Sequence, residues 1–244
     1  MATKSPPADA ELSEQLADFL DELEEVIGTD PKAALELVES VDESFALHPI
    51  IRLARAQVVW ANQDLPGARA LLDELLQDEP DFSDAHYALA GVLTELDESD
   101  PRRITHLLKV REIDARDDAE DDFDVKTFEP GIRAAAEHTL AELPAPYKQA
   151  LHGLPILLEE RPSKPLVEDG FDPRALCCFD GPAQEDRLVD DVPAPSRIVL
   201  FTANLSGEFE DETELEEEVR SALLQEVGQY FGVEDEDLEQ LGLD

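Results

Sequence analysis

Bases are scarce in this chain, and so are sulfur and large aromatic rings. Only 19 Lys and Arg stand against 60 Asp and Glu, a formal net charge of −41 over 244 residues. A surface of that sign repels phosphate backbones and anionic headgroups, which argues against nucleic acid or a membrane as partner. The same charge fits a salt-adapted surface or the steering of a basic partner; it confers solubility and long-range attraction, not chemistry. Two cysteines are present, Cys177 and Cys178. Neighbours on a strand point to opposite faces, so an ordinary disulfide between them is disfavoured, and no Cys-x-x-Cys pair exists for a metal. No apolar run approaches the roughly 20 residues that a membrane helix needs. The opening MATKSPPADAELSEQ lacks the apolar segment of a signal peptide, so a cytoplasmic location is expected.

What is abundant is aliphatic side chain at helical spacing. Hydrophobic residues make up 42% of the chain, enough for most of it to fold. After an N-terminal stretch, residues 1–10, expected to be unstructured, Leu12, Leu16, Phe19, Leu20, Leu23, Val26 and Ile27 lie on one helical face that ends near Gly28. The segment Asp30-Pro-Lys-Ala-Ala34 then recurs as Asp64-Leu-Pro-Gly-Ala68, 34 residues later. Each copy reads as a polar turn, a helix start, a small residue and an apolar pair. The fullest copy runs from Pro49 to Pro80, and another follows from Ser83 to Ile113. Proline at 80 stops a helix because it has no amide hydrogen to give. A 34-residue period with a small residue at the helix contact resembles tetratricopeptide repeats, over residues 11–114. Ala68, Pro80 and Leu89-Ala90 fit that pattern, while Arg52 stands where the family favours tryptophan. The resemblance implies stacked helix pairs that offer a groove to a protein or peptide.

Acidic residues crowd Asp114, Asp117, Asp118, Glu120, Asp121, Asp122 and Asp124. Like charges resist compaction, so residues 115–125 read as an acidic linker. The run lacks the glycine and closing glutamate of a calcium-binding loop. The remaining residues, 126–244, form a second domain. An amphipathic helix spans Phe128 to Leu143, and Leu154–Leu158 and Ala175–Phe179 suit strands, the latter followed by a turn at Asp180-Gly181. Arg197-Ile-Val-Leu-Phe201 is the clearest strand signal, and a helix runs from Glu212 toward Gly232. The fold class expected is therefore α+β: helical repeats first, then a small domain with a short mixed sheet and helices.

The order helix, strand, Leu-x-x-Phe-Asp-Gly, Ile-Val-Leu-Phe, acidic loop and Gln225-Glu226-Val-Gly-Gln229-Tyr-Phe-Gly232-Val-Glu-Asp235 is similar to the minimal zincin-like metallopeptidases. That family carries His-Glu-x-x-His-x-x-Gly-x-x-Asp on its last long helix and the turn after it. Two imidazoles at i and i+4 share a helix face and grip zinc, the glycine permits a turn that returns the aspartate, and the glutamate takes a proton from metal-bound water. The resemblance thus implies that Gln225, Gln229 and Asp235 occupy the positions of the zinc ligands and that Glu226 is a vestigial general base. Both histidines have become glutamine. Amide oxygens suit hard ions and are weak partners for zinc, so no cofactor is expected here, whereas active relatives carry zinc. The five histidines, His48, His86, His106, His138 and His152, lie outside the motif helix. Eight acidic residues between Glu208 and Glu218 complement the positive end of that helix's dipole.

The function expected is a catalytically inactive or impaired zincin-like protein that binds a protein or peptide through its repeats, its cleft or both. The strand Ile198, Val199, Leu200 and Phe201 is expected to be the edge at which an extended peptide docks. Two alternatives remain open: an active peptidase with an atypical metal site, and a scaffold in which the repeats do all the binding.

Overall fold

Asp30 and Asp64 perform the same task one repeat apart. Each is the residue before a helix, and each turns its carboxylate back onto that helix's first amides. Asp30 accepts from the amides of Lys32 (3.2 Å) and Ala33 (3.1 Å), and Asp64 accepts from Gly67 (3.0 Å). Such caps satisfy backbone donors that no helical carbonyl can reach, and a proline in the first turn loses nothing there. The computed structural model describes residues 8–41, 47–120, 125–180, 196–205 and 212–232, and the chain divides into two compact units, Met1–Arg116 and Asp117–Asp244.

The first unit is helical: α1 (Ala8–Ile27), α2 (Pro31–Glu39), α3 (Pro49–Ala61), α4 (Leu65–Asp78), α5 (Ser83–Leu96) and α6 (Pro101–Glu120). Ala34 and Ala68, the small residues of the repeat, are both fully buried. One core gathers Leu23, Ala34, Val38, Ala54 and Val58, and a second gathers Ala56, Ala68, Leu72, Leu75, Leu89 and Val92. Gly91 is a point of close approach: a Cβ there would sit 2.4 Å from the Trp60 ring. Arg52, the departure from the repeat pattern, reaches from α3 to Asp78 (2.8 Å) and Glu74 (3.8 Å) on α4. An ion pair therefore replaces the ring expected there.

Two boundaries differ from the sequence reading. Helix α1 begins at Ala8, inside the stretch expected to be unstructured, because Ala8, Ala10 and Glu11 are good helix formers once Pro7 is passed. Helix α6 runs to Glu120, through the first part of the supposed linker; residues 121–124 lie outside the described residues. Two arginines bond at this stretch, one from within it and one to it. Arg116 bonds Asp81 (2.9 Å) within the first unit, and Arg161 bonds Asp118 within the second.

His86, buried on α5, forms an arrangement that no sequence pattern announced. Its Nε2 lies 3.0 Å from the Pro80 carbonyl and its Nδ1 lies 2.8 Å from His106 Nδ1 on α6. A carbonyl only accepts, so His86 Nε2 carries a hydrogen, and His86 Nδ1 must accept from His106 Nδ1–H. Burial lowers the basicity of both rings, and His106, facing His86, is pushed down to about 4. Asp81 and Lys109 act on His86, and Asp73, Asp100 and Arg102 act on His106, with opposing signs.

The second unit contains α7 (Glu129–Glu142), α8 (Ala145–Leu151), β1 (Ile156–Glu159), α9 (Lys164–Glu168), β2 (Cys177–Asp180), β3 (Arg197–Phe201), α10 (Thr202–Leu205) and α11 (Glu212–Phe231), with a 3-10 turn at Val125–Thr127. Among the described residues the sheet has three strands in the order β1-β3-β2, with β1 parallel to β3 and β2 antiparallel to it. This overturns the expectation that Ile198, Val199, Leu200 and Phe201 form a docking edge. They are central, hydrogen-bonded on both sides and buried. The physical reason was already in the residues: four consecutive apolar side chains cannot alternate between core and water, so the strand must be covered on both faces. Helices α7 and α11 cover the sheet, through Ile132, Ala136, Val219, Leu223 and Val227 against Ile198 and Leu200. Gly232 ends α11 with φ 64°, the left-handed conformation glycine takes without strain.

Two outcomes follow from this packing. Ala68→Leu should lower the urea midpoint by an amount worth about 1–3 kcal/mol, as overpacked cores do, while Ala70→Leu on the exposed face of the same helix should leave it unchanged. The histidine pair gives a pH signature. Both folded-state pKa values lie below the ordinary 6.5, so the unfolded chain binds more protons between that value and about 4. The pair's contribution is complete above 6.5 and is lost as pH falls toward about 4. The thermal midpoint of the wild-type chain should therefore fall more steeply over that window than that of the His86→Gln/His106→Gln variant.

Candidate functional site

The three motif residues on α11 come together on one face and line one cleft. Gln225 and Gln229, four residues apart, are exposed on its rim, and Glu226 is half-buried in its wall. The cleft has a volume of about 490 Å³ and is closed on the other side by Gly170, Phe171, Asp172, Arg174, Ala175 and Leu176, with Cys177 and Ala222 at its base. Asp235 lies outside the described residues, as do Gly181 and the acidic residues Glu208, Glu210 and Asp211.

The loop opposite α11 is held from behind. Asn204, on α10, donates its amide hydrogens to the carbonyls of Pro173 (2.9 Å) and Ala175 (2.8 Å). Its own carbonyl oxygen accepts from Arg161 Nη1 at 2.5 Å, and Arg161 Nη2 bonds Asp118. The Arg161 side chain is only 9% exposed. A guanidinium buried to this extent is held in place by partners on two sides, because a lone buried charge is costly. Asp118, Arg161 and Asn204 therefore form a chain that fixes the cleft's far wall. No spacing or motif pointed to them; their only mark in the sequence is that a cation is rare in this chain.

One of the two Glu226 oxygens is taken up by backbone. Its Oε1 accepts the Phe179 amide of β2 at 2.9 Å. Burial raises its pKa, and the Phe179 amide works in the opposite direction. Burial likewise pushes the thiol of Cys178 up to about 12 and that of Cys177 well above its ordinary value. Cys177 Sγ in addition donates to the Ala222 carbonyl (3.3 Å). Neither sulfur is a ready thiolate nucleophile or metal ligand at neutral pH.

The donor set does not fit zinc. The helix face that would hold the ion presents two neutral carboxamides, and the adjacent carboxylate is engaged with backbone. Zinc binds imidazole nitrogen and thiolate sulfur in preference to amide oxygen. Among the described residues no group of three or more His, Cys, Asp or Glu is arranged to hold a metal. His138 is exposed beside Glu142 (3.4 Å), and His152 is exposed after α8; neither lines the cleft.

Residues 151–243 match the family model of the zincin-like metallopeptidases, and residues 29–100 match that of the tetratricopeptide repeat. The chain thus carries helical repeats followed by a metallopeptidase-like domain. A search of curated proteins finds no match to it. Zinc is the usual metal of the first family, and repeats of the second generally mediate contact between proteins.

If the helix face retains the family's geometry, Gln225→His together with Gln229→His should create a zinc site, with Asp235 supplying the third ligand that the family pattern implies. Each single change should raise affinity much less, since one imidazole leaves a tetrahedral ion under-coordinated. Titration of zinc into the double variant and its parent decides this. Equal, weak binding by both would show that positions 225 and 229 have lost the metal-binding arrangement.

Proposed function

We propose that the second unit is a catalytically inactive zincin-like domain that binds an extended peptide in the cleft without cutting it. One observation carries this reading: at the two positions where the family's motif has histidine, the cleft presents Gln225 and Gln229. Two primary amides four residues apart each offer a donor and an acceptor, a set suited to main-chain amides and carbonyls of a peptide. Strand β2 supplies the edge that β3 cannot. Phe201 N–H donates to Leu176 O (2.9 Å) and Ser196 N–H to Asp180 O (2.6 Å). Antiparallel pairs alternate, so even-numbered residues of β2 turn to β3 and odd-numbered ones, Cys177 and Phe179, turn outward. An extended chain adds to a sheet through such outward groups.

The repeats support a second binding surface. Leu20, Leu23 and Ile27 of α1, with Ala54 and Gln57 of α3, line an apolar groove of about 410 Å³ within the first unit. We assign it to a protein partner, in keeping with the general use of such repeats. The scaffold alternative places all binding there.

The full chain, panned against a displayed library of linear peptides, should yield binders that mass spectrometry recovers uncut after prolonged incubation. Gln225→Lys and Gln229→Lys, on the exposed rim, should weaken them by about tenfold or more, the loss expected when a site's polar pairs go unmade. Binders indifferent to both changes would move the binding to the repeats. Chelator-sensitive cleavage would establish the active-peptidase alternative.

A further inference from the structure

The carboxylate of Glu226 occupies a backbone donor that a docking chain would need, and a second bond one helical turn away fixes the same two elements. Ala222 and Glu226 are four residues apart on α11, a rise of about 6 Å. Cys177 and Phe179 are two apart on β2, a rise of about 6.6 Å. The spacings match, and both rungs are made: Cys177 Sγ to Ala222 O at 3.3 Å, and Phe179 N to Glu226 Oε1 at 2.9 Å. The phenyl ring of Phe179 also meets the Tyr230 ring edge-on, with centroids 5.6 Å apart, one further turn along the helix. Helix and strand are thereby locked in register.

We infer that Glu226 is a clamp on β2 and a specificity-determining residue for peptide docking, not a residual base: by holding the Phe179 amide it closes the strand's edge there and confines main-chain pairing to Cys177. This rests on the reading of the cleft as a peptide-docking site. In antiparallel pairing, a peptide residue opposite Phe179 would exchange two hydrogen bonds with it, giving its own amide and accepting that of Phe179. With the Phe179 amide already bonded, that pair is reduced to one bond, while a pair opposite Cys177 keeps both. The difference limits full two-bond pairing to Cys177, at the base of the cleft between Gln225 and the 170–176 loop. The role needs an acceptor oxygen and no charge, which separates it from a base. Glutamine at 226 retains an acceptor in the same position, and alanine does not.

The experiment uses the isotopically labelled full chain and its Glu226→Gln and Glu226→Ala variants, each checked for fold by circular dichroism. Amide exchange at Phe179 should rise by about tenfold or more in Glu226→Ala, the size expected for a lost hydrogen bond, and stay near the parent value in Glu226→Gln. Peptides selected on the parent should bind Glu226→Gln equally and Glu226→Ala with pairing extended to Phe179, read as new protection or shift changes at Phe179 on titration. Equal exchange at Phe179 in all three proteins overturns the clamp. A released Phe179 amide that no bound peptide engages overturns the specificity role. A library that yields no cleft binder sinks the docking function, and the specificity role with it, while the exchange measurement still decides the clamp.

Discussion

Strand β3 has a hydrogen-bonded neighbour on each side and side chains buried against helices, and the second unit is built outward from it. Because β3 is saturated, the sheet's properties at its margins fall to β1 and β2, and each margin is met by a side chain from a helix. Arg133 of α7 donates to the Ile156 carbonyl on β1 (3.2 Å), and Glu226 of α11 accepts the Phe179 amide on β2 (2.9 Å). Unpaired edges invite adventitious strand addition, and covering them with charged groups from above is a general remedy. In this domain the two remedies are of opposite sign, cation to carbonyl and carboxylate to amide, as the polarity of each backbone group requires.

The scarcity of bases gives each one a position with consequences. Arg52 ties α3 to α4, Arg116 ties α6 to Asp81 ahead of α5, Arg220 bonds Glu142 across α11 and α7, and Arg197 bonds Asp180 across the β2–β3 ladder. Exposed pairs of this kind contribute little individually. Their collective role in a chain of net charge −41 is local: each puts a cation where two acidic elements must approach. Arg161 differs because it is buried, and its bonds to Asp118 and Asn204 set the wall of the cleft.

Much of this architecture was legible in the residues. The 34-residue period named Asp30 and Asp64 as helix starts and Ala34 and Ala68 as contact points, since caps and close contacts are local requirements that sequence spacing records directly. The motif spacing likewise placed Gln225, Glu226 and Gln229 on one helix face. Strand order is less legible: Ile198–Phe201 carries the strongest strand signal, but an uninterrupted apolar run marks a central strand and not an edge. What could not be read were the long-range polar bonds. Nothing near Asn204 in the chain announces Pro173, Ala175 or Arg161, and nothing near His86 announces His106, because such pairs depend on elements meeting in space and carry no period.

That positions 225 and 229 carry carboxamide and not imidazole bears on how the domain stays folded. A metal that binds only the native state stabilises it by mass action, and ligands turned toward the metal contribute little once it is gone. A helix without such ligands must be held by other contacts, and α11 is: Val219, Leu223 and Val227 are fully buried in the core, and Ala222 and Glu226 bond β2. Glutamine suits positions 225 and 229, which are exposed, because it is a good helix former. Histidine has a poorer helix propensity and a ring that titrates near neutrality. The acceptor oxygen of Glu226 joins helix to strand with no metal taking part. Glu226 thus has a structural task in this chain, a bond from helix to strand backbone that needs no metal and no proton transfer.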